Sequence, residues 1–173
     1  MSVTTPLLDA DTLARRIAEL GAEIRAAYGD DTPITCIGVL KGSIVFMSDL
    51  VRQIDGPVEL EFLGVSSYEG TQSTGQVRIT HDLHGSIEGK HVLIVEDIVD
   101  TGLTLSYLRE MLKVRGPASL RVVALLDKPS RRTSPVAVEF TGFEIPDAFV
   151  VGYGLDLDER YRNLPYVGIY QGE

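Results

Sequence analysis

Residues 91–105, HVLIVEDIVDTGLTL, set an apolar run, Val92 to Val95, against two consecutive acids, Glu96 and Asp97. A turn follows at Asp100-Thr101-Gly102, and then Leu105, Leu108, Met111 and Leu112 recur at steps of three and four. A short apolar run, a glycine turn and a 3.6-residue period spell strand, loop and helix: a strand with its apolar run over His91–Val95 that ends in Glu96-Asp97, and a helix from about Leu103 to Val114. Free amides at a helix start, a glycine that admits close approach, and the hydroxyls of Thr101 and Thr104 form a nest of donors for a phosphate monoester. The acids demand a separate account. Glu96, Asp97 and Asp100 repel a nearby phosphate unless each has a donor or cation of its own, and sugar hydroxyls or Mg²⁺ supply one. The pattern points to a ribose phosphate with a metal. A helix cap by Asp100 or Thr101 explains one acid and leaves two. No Lys follows the glycine as a Walker loop requires; a phosphatase built on two aspartates one residue apart stays as a minor rival, since Asp97 and Asp100 are three apart.

Outward from this stretch the elements alternate. Leu13, Ile17, Leu20, Ile24 and Tyr28 form one helical stripe over Asp11–Tyr28, closed by Gly29-Asp30. Ile34–Leu40 reads as a buried strand, and Ser43–Ile54 as a helix after a Lys41-Gly42 turn. Pro57–Tyr68 begins with the alternation of Val58, Leu60 and Phe62 against Glu59 and Glu61, a strand with one wet face. The loop SSYEGTQSTG (66–75) has little to bury and is expected to move until something orders it. Strands follow at Gln76–Thr80, Arg121–Leu126, Val136–Phe140, Phe149–Val151 and Tyr166–Tyr170. Alternating buried strands and helices imply an α/β fold, a mostly parallel twisted sheet flanked by helices, with sites at the carboxyl ends of strands. With neither repeat nor composition break, residues 1–173 read as a single domain.

Composition narrows the function classes. A hydrophobic share of 44% and a charged share of 24% suit one packed core. Twenty-five acidic against 16 basic residues give a net charge of −9, which disfavours nucleic acid and anionic membranes as partners. The longest aliphatic stretch, Val122–Leu126, is far too short to span a bilayer, and the N-terminal residues lack a secretory pattern, so a cytoplasmic location is expected. Cys36, the sole cysteine, sits among Ile34, Ile37 and Val39 as a small core residue. His81, His84 and His91 read as solvated histidines, and Arg131 and Arg132 as part of a polar loop.

The segment VLIVEDIVDTGLTL resembles the phosphoribosyl-diphosphate (PRPP) motif of the type I phosphoribosyltransferases. The likeness runs from about Ile37 to Tyr170 through VLKGS (39–43), SSYEG (66–70), Asp127-Lys128-Pro129 and GFEIPDAFVVGYGLDLDERYRNLP (142–165). This last segment is similar to the 6-oxopurine branch in particular. The resemblance implies a core over about 30–145 and a small hood made from the N-terminal segment and about 146–173. It implies a Mg²⁺-dependent purine salvage transferase that joins hypoxanthine or guanine to PRPP, releasing diphosphate, with xanthine or another oxo-base as the nearer alternative. A regulatory nucleotide- or RNA-sensing relative of the same fold is the more distant one, and net charge −9 offers it no basic face.

Residue by residue, the resemblance assigns the ribose hydroxyls and metal to Glu96 and Asp97, and the 5-phosphate to Thr101, Gly102, Leu103 and Thr104. Leu103 brings only its amide, where some relatives have a Lys. Asp100 would be the general base at purine N7. Lys41 and Gly42 would hold diphosphate on a loop with a cis Leu40-Lys41 peptide, joined by Arg162, and Asp156 would meet the metal. Ser67 and Tyr68 belong to the loop that would close over the site and exclude water. Lys128 would donate to the 6-oxygen, which disfavours adenine. Phe149 would stack on the base and Val150 would offer it a carbonyl. A homodimer or homotetramer is implied.

Overall fold

The computed structural model describes residues 4–67 and 77–172. In chain order the elements are β1 (Thr4–Leu8), α1 (Ala10–Tyr28), β2 (Ile34–Leu40), α2 (Ile44–Val51), β3 (Val58–Ser67), β4 (Val77–His81), β5 (His91–Val99), α3 (Leu103–Lys113), β6 (Ser119–Asp127), a 3₁₀ turn (Pro129–Arg131), β7 (Phe140–Glu144), β8 (Val150–Val151) and β9 (Val167–Tyr170). The main sheet has the order β4-β3-β2-β5-β6-β7. Its strands β3, β2, β5, β6 and β7 are parallel, and β4 runs antiparallel at the edge. A second, antiparallel sheet, β1-β9-β8, is built from the two ends of the chain.

Burial on both faces explains the continuous apolar strands. Side chains alternate across a strand, so Leu93 and Val95 of β5 join one core cluster and Val92 and Ile94 the other. The first packs against Leu13, Ile17, Leu20 and Ile24 of α1 and Phe46, Met47 and Leu50 of α2; the second packs against Leu105, Leu108 and Leu112 of α3. Asp9 caps α1 by accepting from the Thr12 amide at 2.8 Å, and Gly29 ends the helix at φ 89°. Cys36 is fully buried in β2, and burial pushes its thiol up to about 12. No helix among the described residues is long and apolar enough to cross a membrane.

Four sequence expectations need correction. The strand expected to end in Glu96-Asp97 continues to Val99, because Ile98 and Val99 still pair with Leu126 and Asp127 of β6. The strand expected at Val136–Phe140 begins at Phe140 instead; Val136 and Val138 are apolar because they pack beside α3, not because they join a ladder. Helix α2 stops at Val51, short of Ile54. His91 is half-buried, with Nδ1 2.7 Å from Ser119 Oγ. Strand β1 was absent from the sequence reading, since its pairing partner β9 lies at the far end of the chain.

Candidate active site

The carboxyl ends of β2 and β5 and the start of α3 enclose a cavity of about 220 Å³, bounded by Leu40 and Gly42 on one side and by Glu96 through Gly102 with Thr104 on the other. A second cavity of about 470 Å³ shares Leu40, Gly42, Val65 and Asp97 with it and adds Lys41, Asp156, Glu159 and Arg162. Helix α3 starts at Leu103 behind Gly102, whose φ of 87° is left-handed. Glycine is required there twice over, for the dihedral and because an added Cβ would stand 2.7 Å from the Ser134 carbonyl oxygen. The cap residue Gly102 offers no side chain and no acid occupies the first turn, which leaves the amides at the helix's positive end, apart from the long Leu103 contact to Thr101, for an anion. Leu103 is exposed and Thr101 Oγ1 accepts weakly from its amide at 3.4 Å.

Glu96 and Asp97 are consecutive in β5. Glu96 is buried, and desolvation first, then the neighbouring Asp97 charge, hold its carboxyl well above the usual range. Burial also lifts Asp97 to about 6, opposed by the Ile98 amide, by its own amide and by the more distant Arg162 cation. The Ile98 amide donates to Asp97 Oδ1 at 2.7 Å. Among the described residues neither acid has a salt-bridge partner: two desolvated carboxylates stand where hydroxyl donors or a cation would relieve them.

Opposite them, the Leu40-Lys41 peptide is cis. Lys41 Nζ contacts Glu159 at 2.9 Å, and Arg162 reaches Glu159 at 3.0 Å, Asp156 at 3.2 Å and the Gly154 carbonyl at 2.8 Å. A Cβ on Gly154 would overlap the Gly42 carbonyl oxygen, so the 154–162 segment packs directly on the 41–42 loop. The fold thus gathers Lys41, Gly42, Asp156 and Arg162 at one cavity.

The residues expected at the base lie beyond this. Lys128 is buried after β6, its amide donating to the Val99 carbonyl at 2.9 Å and its Nζ 4.0 Å from Asp147. Phe149 is 53% exposed, its ring edge-on to Tyr170 with centroids 6.2 Å apart. Val150 is buried and pairs with Ile169. These three line neither of the two cavities. Ser67 ends β3, and Tyr68 with the following loop residues lies outside the described residues.

Local reading missed two cations. Arg131 Nε donates to Asp100 Oδ1 at 3.1 Å, and Arg132 donates to the Asp100 carbonyl at 3.1 Å and to Asp127 at 2.5 Å. The same holds for Glu159, which holds Lys41 and Arg162 together. Nothing in the local charge pattern marks them: the approach of β5 and β6 brings the arginines to Asp100, and the packing of 154–162 on the 41–42 loop brings Glu159 to Lys41.

A phosphoribosyl transferase domain model matches residues 4–158. The chain is 52% identical over 164 residues to the hypoxanthine-guanine phosphoribosyltransferase of Bacillus subtilis (strain 168), covering 94% of this chain and 91% of that one. It is 54% identical over 165 residues to the hypoxanthine phosphoribosyltransferase of Haemophilus influenzae, covering 94% and 92%. The crystal structure of a hypoxanthine phosphoribosyltransferase from Staphylococcus aureus superposes with a TM-score of 0.92 at 49% identity, covering 96% of this chain and 91% of that one. The matching family domain, and identity of about half over nearly the full length to named members, show that the chain belongs to the phosphoribosyltransferase family, in its hypoxanthine-guanine branch.

Proposed function

We propose that the protein transfers the 5-phosphoribosyl group of PRPP to N9 of hypoxanthine or guanine, giving the nucleoside monophosphate and diphosphate in purine salvage. The observation that carries this reading is the juxtaposition of two adjacent carboxylates, buried Glu96 and half-buried Asp97, neither in an ion pair among the described residues, with the start of α3, whose cap residue Gly102 offers no side chain. Carboxylates take the ribose 2- and 3-hydroxyls; the amides of Thr101 to Thr104 and the threonine hydroxyls take the 5-phosphate. Lys41, Gly42 and Arg162 hold the diphosphate, exchanging the Glu159 contact for the leaving group. Asp100 accepts the N7 proton as N9 attacks the anomeric carbon, and its charge also steadies the positive character of the ribose ring. Lys128 donates to the 6-oxygen, Phe149 stacks on the purine, and Val150 offers its carbonyl. Ser67 and Tyr68 close over the centre and keep water from the activated sugar. The β1-β9-β8 sheet serves as the hood over the base.

The donor set suits Mg²⁺: all oxygen, with Glu96, Asp97 and Asp156 as the acids that would hold it. Among the described residues no three acids, histidines or cysteines converge on one point, so Glu96, Asp97 and Asp156 would not hold the ion as one cluster. When bound, the ion neutralises charge on the departing diphosphate. We further propose a cytoplasmic homodimer or homotetramer.

An ultraviolet assay of the purified protein with PRPP, Mg²⁺ and each of hypoxanthine, guanine, xanthine, adenine and uracil tests the reading. Conversion of hypoxanthine or guanine with adenine unchanged supports it. No conversion of any 6-oxopurine overturns it.

A further inference from the structure

The carbonyls of Val99, Asp100 and Thr101 and one carboxylate oxygen of Asp100 are engaged by one segment, residues 128–134. The Lys128 amide donates to the Val99 carbonyl at 2.9 Å, and the Thr133 and Ser134 amides to the Thr101 carbonyl at 2.9 and 3.1 Å. Between them, Arg132 Nη1 takes the Asp100 carbonyl at 3.1 Å and Arg131 Nε takes Asp100 Oδ1 at 3.1 Å. We propose that Arg131 and Arg132 are positioning residues for Asp100, Arg131 orienting its carboxylate and Arg132 fixing its main chain, an inference that rests on the assignment of Asp100 as general base.

The two arginines are anchored differently. Arg132 is tied at its other end to Asp127, the last residue of β6, which pairs directly with Val99. That ion pair is mostly buried, 20% and 11% exposed, so it stays formed: breaking it leaves an uncompensated charge in low dielectric. Arg131 is 47% exposed and Asp100 44%, a pair that adds little to stability and whose worth is geometric. Arg131 Nη1 also lies 3.7 Å from Asp147, which stands 4.0 Å from Lys128 Nζ. The chain Asp100–Arg131–Asp147–Lys128 therefore links the proton acceptor to the lysine that reads the 6-oxygen. Because Arg131 occupies one carboxylate oxygen, the other is left for the N7 proton, and misplacing it affects the chemical step while PRPP binding is spared.

Single-turnover nucleotide formation from hypoxanthine, with saturating PRPP and Mg²⁺, tests this in the full chain. Arg131→Ala is expected to slow the step ~10-fold with the KM for PRPP within about two-fold of wild type, on the scale of a misaligned catalytic group. Its melting temperature should be unchanged, and Arg131→Lys should recover part of the loss. Arg132→Lys, which keeps a charge on Asp127 but loses the second donor, should slow the same step. In an Asp100→Asn background, Arg131→Ala should add nothing. Wild-type rates in Arg131→Ala, or an equal further loss in the Asp100→Asn background, would overturn the positioning role while leaving the transferase reading intact. An inactive wild-type protein would instead overturn that reading, and the positioning role with it.

Discussion

Gly42 and Asp97 touch across the site: a Cβ added to Gly42 would overlap Asp97 Oδ2. The loop after β2 is thereby brought into contact with the carboxylate of Asp97, which any side chain at position 42 would have to displace. Gly42→Ala should push the Asp97 carboxylate away from its hydroxyl and metal partners and lower turnover ~10²-fold, the cost of an ångström-scale displacement. Circular dichroism should show the fold retained. Wild-type kcat/KM in that variant would remove the contact from the account.

Asp100 sits at the edge of the smaller cavity, on the loop between β5 and α3. Its replacement by Ala should reduce turnover by roughly 10²-fold or more, the scale of a lost general base, while PRPP binding measured by calorimetry stays close to wild type. A loss confined to PRPP affinity would reassign the residue.

Lys128 is a buried ammonium with Asp147 at 4.0 Å as its ion-pair partner among the described residues. It can donate to a 6-oxygen and can accept nothing from a 6-amino group. Lys128→Gln, with an amide that both donates and accepts, should narrow the preference for hypoxanthine over adenine. An unchanged ratio of kcat/KM values for the two bases would contradict its assignment.

The acid pair also sets a pH dependence. Glu96 and Asp97 both have folded pKa values raised above their ordinary 4.5 and 3.8, Asp97 to about 6. The unfolded chain therefore binds fewer protons than the folded one from pH about 4 upward, and stability present below that is lost as pH rises through the folded values. Metal-free, substrate-free protein should melt at lower temperature at pH 8 than at pH 5. Glu96→Gln should remove part of that fall and raise the midpoint at pH 8 by a few degrees, at ~2–4 °C per kcal/mol for a chain of this size. An equal fall in the variant would show that the pair is not its source.

What could be read locally was read well. The strand-loop-helix around Glu96 and Thr101 lies within fifteen residues, and apolar periodicity located α1, β2 and α3 to within a residue or two at most ends. What failed was non-local. β1 exists because Thr4 and Thr5 pair with Tyr170 and Ile169, a relation invisible in TTPLL alone. β5 outlasts its apolar run because β6 supplies a ladder beneath polar residues as readily as beneath valines. Arg131 and Arg132 looked like a solvated loop because their partners, Asp100 and Asp127, are set by the packing of two strand ends. Asp156 and Arg162 joined Lys41 only through family resemblance, since no local pattern spans that distance.

The central claim is that the acidic bend between β5 and α3 grips a phosphorylated ribose. A crystal structure with inosine 5-monophosphate tests it most directly. The account requires the 5-phosphate on the amides of Thr101 to Thr104, the ribose hydroxyls on Glu96 and Asp97, and the 6-oxygen at Lys128. Nucleotide bound elsewhere, with this bend unliganded, would contradict it.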